Sequence, residues 1–166
     1  MSTNRELTSY AIARAIYQIW GAAMDDVHQK GLAALRIVLA FSLVSTTLHY
    51  AHNLIAVERY PQFQGISNTV TQVTVVLGWV VFTAFGALGY RRYLQRRYWP
   101  ALSFLLVYSL SGLATMGHFL VGVPNVPVFW LVTIFTDAFA AVAIWAFVIW
   151  GATRLGQVRD YISTER

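Results

Sequence analysis

Three histidines and an aspartate stand inside apolar runs of this chain, where ionisable side chains are costly and tend to carry function. His49 and His52 close the stretch "STTLHYAHN", with Asn53 beside them; His118 sits in "TMGHFLVG" and Asp137 in "TIFTDAFAA". Three chemistries are open to such a set. His49 and His52, three residues apart on a helix, can face one ion, and with His118 and Asp137 they make a nitrogen and oxygen set suited to zinc or copper. A histidine of the first run opposite His118 could instead ligate a haem iron axially. With no cysteine in the chain, such a haem would be held non-covalently. The same side chains could also hydrogen-bond a ligand headgroup or relay protons, with Gln72, Thr115, Thr133, Asp137 and Asn53 as binding contacts. For Asp137 the expected partners are His118, His49, Thr133 and Thr115, since no Lys or Arg lies near it in the fourth run.

Helical spacing collects these residues into stripes. Ser42, Ser45 or Thr46, His49, and His52 or Asn53 recur at intervals of three and four residues, as do Tyr108, Ser111, Gly112, Thr115 and His118. Thr133, Thr136 and Asp137 cluster in the same way, and Thr69, Gln72 and Thr74 mark the second run. Stripes turned to lipid would be expensive. Turned toward one another they satisfy each other and form a polar pocket.

The elements that must position them are membrane helices. Hydrophobic residues make up 57% of the 166-residue chain and charged residues 11%, against roughly 25% in soluble domains. The mean hydropathy is +0.54. Four apolar runs, at about 32–57, 66–88, 101–121 and 126–150, each exceed the ~18 residues that mark a spanning helix. Lipid offers the backbone no hydrogen-bond partners, so each run must be helical. The expected fold is all-α: an integral membrane four-helix bundle over residues 32–151. Before it, residues 1–31 are expected to form a cytoplasmic segment with an amphipathic interfacial helix, built on Ile12, Ile16, Ile19 and Trp20, opened by Thr3 and Glu6 and interrupted at Gly21. Residues 152–166 are expected to form a cytoplasmic tail. The scattered charges of the first thirty residues do not suit a cleaved signal.

Eleven of the twelve basic residues fall on one side of this topology, Arg59 being the exception, which predicts both termini in the cytoplasm. The cluster Arg91, Arg92, Arg96 and Arg97 therefore reads as topology and lipid-headgroup contact, not as a nucleic-acid patch. Gly78, Gly86, Gly89, Gly112 and Ala140 are the expected points of close helix approach. Asp137 falls about 16 Å into the fourth helix, near the midplane, and His49, His52 and His118 lie in the outer half. His28 is expected at the surface, and Glu58 with Arg59 as a loop ion pair that could reach His52.

The leading functional expectation is a membrane binding protein. Its outer-half pocket, built from His49, His52, Gln72, His118 and Asp137, would take a metal ion or a small or lipid-like ligand. Two rivals are an accessory subunit of a larger membrane complex, including a b-type haem subunit, and an enzyme acting on a lipid or isoprenoid through His/Asp acid–base chemistry. At the level of overall scheme, a small bundle with an acid and histidines facing a lipid-accessible cavity is similar to sterol-isomerase-like membrane proteins. The expected partners are membrane lipids and other membrane subunits. No phosphate-binding glycine loop, nucleophile elbow or His-Glu-x-x-His is present.

Overall fold

A computed structural model describes the backbone of residues 3–164 and the side chains of residue 18 and of residues 21–155. Helix α1 spans Thr3–Ile55, α2 Asn68–Leu94, α3 Tyr98–Ala114, α4 His118–Val121 and α5 Val128–Thr164. Short 3-10 turns occupy Val57–Arg59, after α1, and Thr115–Gly117, between α3 and α4. Four stretches are long and apolar enough to cross a membrane: Gly21–Ile55, Asn68–Leu94, Tyr98–Val121 and Val128–Leu155. The chain is thus an all-α membrane bundle of four helices.

The helices run past the apolar runs that announce them. Backbone hydrogen bonding continues wherever the backbone can reach its own carbonyls, so α2 extends to Leu94 and α5 to Thr164. No helix break occurs at Gly21, and Asp25 and Asp26 sit inside α1. The side chains of Ile12, Ile16, Ile19 and Trp20, expected to form an interfacial face, lie outside the described residues. Packing divides the chain into two units, Met1–Ala34 and Leu35–Arg166. Within the first, Lys30 pairs with Asp26 at 2.7 Å along one helical turn, and His28 is buried, against the expectation of a surface histidine.

The second unit holds the site. Its dry core is Leu35, Leu105, Ile134, Ala140, Ala141 and Ile144, with α3 packed against both α2 and α5. Small residues set the spacing. A β-carbon at Gly86 would touch the Tyr108 ring at 3.1 Å, and one at Gly89 would meet Leu105 at 2.9 Å. One at Gly112 would collide with the backbone carbonyl of Asp137. Ala140 is fully buried, whereas Gly78 faces open space and is no contact point. The outward face of α2 is apolar and exposed at Val70, Val73, Val76, Leu77, Val80 and Val81, as a lipid-facing helix requires.

The connections close the helix ends. Ser67 caps α2 by accepting the Val70 N–H at 3.3 Å. At the other end of α2 the Arg97 N–H reaches the Arg92 carbonyl at 2.9 Å, with Arg96 in the left-handed region at φ 58. The Asn125 N–H donates to the Arg59 carbonyl at 2.9 Å and ties the loop after α1 to the loop before α5.

Candidate functional site

The polar stripe of α1 meets that of α5 in antiparallel rungs, one helical turn apart. Ser45 donates to Oδ1 of Asp137 at 2.5 Å. One turn along, Nδ1 of His49 is 3.2 Å from the Thr133 hydroxyl. At the next step the His52 ring stacks on Trp130, with centroids 4.0 Å apart. Thr136 completes the first rung at 2.7 Å from Ser45 and donates to the Thr133 carbonyl at 3.0 Å. Beyond this seam, Ser42 donates to the Tyr108 hydroxyl at 3.0 Å. Asp137 is completely buried, and His49 is 1% exposed. The i, i+4 spacing on both helices makes this possible, because it places successive polar groups on one line and the antiparallel partner repeats the step in reverse.

The end of the seam nearest the Val57–Arg59 turn is aromatic. Tyr60, only 2% exposed, lies 2.7 Å from Nδ1 of His52 through its hydroxyl. Its ring also packs on those of His49 and His118. Burial pushes the Tyr60 phenol up to about 12, and Asp137 adds to the rise, so the hydroxyl keeps its proton throughout the physiological range. The Asn53 amide donates to Nε2 of His118 at 2.9 Å.

Donor counting identifies what is missing. Thr133 uses its single hydroxyl proton on the Trp130 carbonyl, at 2.7 Å, so the contact with His49 must be donated by Nδ1–H. Nε2 of His49 is then a bare acceptor. Among the described residues, four buried side-chain polar atoms have no hydrogen-bond partner, and three of them lie on this seam: Nε2 of His49, Oδ1 of Asn53 and Oδ2 of Asp137. Nε2 of His49 and Oδ1 of Asn53 are acceptors, and Oδ2 of Asp137 is one whenever the carboxylate is ionised. An unpaired buried polar group costs about 1–3 kcal/mol. The three positions follow one another along the seam, Asp137 on the Ser45 rung, His49 one turn on and Asn53 one turn further, a rise of about 6 Å per step.

The seam does not take in every residue expected there. Among the described residues, no three His, Cys, Asp or Glu side chains gather around one point. The His49, His52, His118 and Asp137 set for zinc or copper is therefore not assembled. His52 is held by Trp130 and Tyr60, and Nε2 of His118 lies 2.9 Å from the Asn53 amide. Gln72 lies elsewhere and donates to the Leu54 carbonyl at 2.9 Å, closing the end of α1. Thr115 turns to the Gly112 carbonyl at 2.7 Å. Glu58 and Arg59 are both exposed and do not pair. Ser45, the residue that does bond Asp137, was visible on the α1 stripe but not as its partner. Tyr60 carried no sequence signal beyond its aromaticity.

A four-helix membrane bundle with a buried seam of acceptors between its first and last helices is the class of protein that fold and site define. No family model, curated protein or solved structure matches the chain.

Proposed function

We propose that this chain is a small membrane-embedded binding protein. Its α1/α5 seam receives a small molecule, or the polar head of a lipid-like one, that presents hydroxyl or protonated amine donors. The carrying observation is the row of unpartnered buried acceptors on His49, Asn53 and Asp137. Asp137 and His49 are the principal contacts, Ser45 and Thr133 hold them in orientation, and His52, Tyr60 and Trp130 form the aromatic end through which the ligand enters. An ionised Asp137 would add charge attraction to an amine. A metal ion has less support, because His52 and Nε2 of His118 have other partners and no three candidate ligands gather among the described residues. The basic residues, eleven of twelve on one side, support a topology with both termini in the cytoplasm, which opens the aromatic end of the seam to the outside.

Mass spectrometry of small molecules released on denaturing the detergent-purified protein tests this reading. A stoichiometric hydroxyl- or amine-bearing compound is expected from the wild-type chain and should be lost in His49→Phe and Asp137→Val. If no compound is released, and a panel of amines and alcohols leaves the melting temperature unmoved, the reading fails.

A further inference from the structure

A second site lies on the other face of α1, independent of the polar seam. Between α1 and α2 runs a crevice of about 270 Å³, walled by Leu39 and Leu43 from α1, Ala87 and Tyr90 from α2, and floored by Tyr108 of α3. Apart from its ends the wall is apolar, and its rim residues Ala40 and Ala87 are exposed on the surface that meets lipid. Arg36 stands at the mouth. Its Nε donates to the Tyr90 hydroxyl at 3.1 Å, which fixes the guanidinium over the crevice. Among the described residues Arg36 has no carboxylate partner. Exposed Arg91 follows Tyr90 directly. The floor is held in place: Gly86 admits the Tyr108 ring to within 3.1 Å of where a β-carbon would stand, and Ser42 donates to the Tyr108 hydroxyl.

We infer that this crevice is a binding site for an anionic glycerophospholipid. One acyl chain lies between α1 and α2, and the phosphate rests on Arg36. The chemistry fits at both ends. A fixed cation at the membrane surface with no carboxylate partner among the described residues attracts a lipid phosphate, and Arg presents paired donors to its oxygens. From Arg36 to Leu43 the wall covers about 10 Å along the helix axis, a length lying within one leaflet of a ~30 Å hydrocarbon core. A chain seated there contacts side chains on three sides, where bulk lipid would contact one. The tyrosine that orients Arg36 also borders the crevice, so headgroup and chain are read by one rigid unit.

Native mass spectrometry of the detergent-purified chain, offered phosphatidylglycerol and phosphatidylcholine of identical acyl chains, tests this. One phosphatidylglycerol per chain is expected to be retained in preference to phosphatidylcholine. Arg36→Gln should weaken phosphatidylglycerol retention about fivefold, as loss of one basic contact to a headgroup does, and weaken phosphatidylcholine less, because choline already offsets the charge of its phosphate. Arg59→Gln removes the same charge at the other end of the bundle and should change nothing. Ala40→Trp, which fills the crevice from its exposed rim, should lower retention of both lipids with the helical circular dichroism intact. Equal retention of the two lipids, no effect of Arg36→Gln, or an equal effect of Arg59→Gln overturns the inference. The arginine pair decides the matter even if Ala40→Trp does not fold.

Discussion

Replacing Ser45 by alanine removes the protein donor to a fully buried carboxylate. Two losses combine. A side-chain hydrogen bond inside a membrane bundle is worth about 0.6 kcal/mol on average. Stranding a second oxygen of Asp137, whose Oδ2 already lacks a partner, adds about 1–3 kcal/mol. Ser45→Ala is therefore expected to destabilise the bundle by about 2 kcal/mol. Asp137→Val takes away the group that needs the donor, and exchanging a buried polar group for an apolar one of similar volume is often neutral or stabilising. In that background Ser45 retains its contact with Thr136, so Ser45→Ala should cost only about 0.6 kcal/mol, leaving a coupling near 1.5 kcal/mol. Unfolding by sodium dodecyl sulfate in mixed micelles, followed by far-ultraviolet circular dichroism, measures all four corners of the cycle. Equal costs of Ser45→Ala with and without Asp137 would refute the assignment of the energy to the stranded carboxylate.

Two further outcomes follow from packing and from the aromatic end. Gly112→Ala drives a β-carbon into the Asp137 carbonyl, a backbone atom that cannot rotate away, so α3 and α5 must separate; a loss of about 3 kcal/mol is expected in the same micelle assay. Gly78→Ala, with open space around it, should stay neutral or gain up to about 1 kcal/mol from helix propensity. Tyr60 holds its proton to about pH 12 when folded, whereas an unfolded tyrosine releases it near pH 10. Its contribution to stability is therefore complete below about pH 10 and declines as the pH rises toward 12. Tyr60→Phe should remove that part of the alkaline decline, as read from melting temperatures at paired pH values.

The four spans were legible because membrane hydropathy is a long-range signal, carried by about twenty residues at a time. The α1 stripe from Ser42 to Asn53 was legible for a related reason, since helical period alone decides which residues share a face. The same period says nothing about the register of one helix against another. Asp137 could thus be placed in the interior, but its pairing with Ser45 instead of His118 or Thr133 could not be read. The partner of Gln72 could not be read either, since a long amide can reach the end of a neighbouring helix as readily as a pocket, and here it bonds the Leu54 carbonyl. Gly112 was recognisable as a point of close approach, but not what would approach it. The Arg36 crevice lay beyond sequence reading altogether, since a gap between helices is made by residues that fail to touch.

The 3-10 turn at Thr115–Gly117 has a geometric effect on everything after it. A 3-10 helix advances about 120° per residue against about 100° in an α-helix, so three residues offset the following turn by about 60°. That offset sets the azimuth at which His118 leaves the helix to receive the Asn53 amide. The turn acts as a gear between the two segments of this span: rewinding it into regular α-helix would carry the imidazole round by the same angle, off Asn53 and away from the Tyr60 ring. Gly117, with nothing within 4 Å of where a β-carbon would stand, leaves that rotation sterically unopposed at its own position.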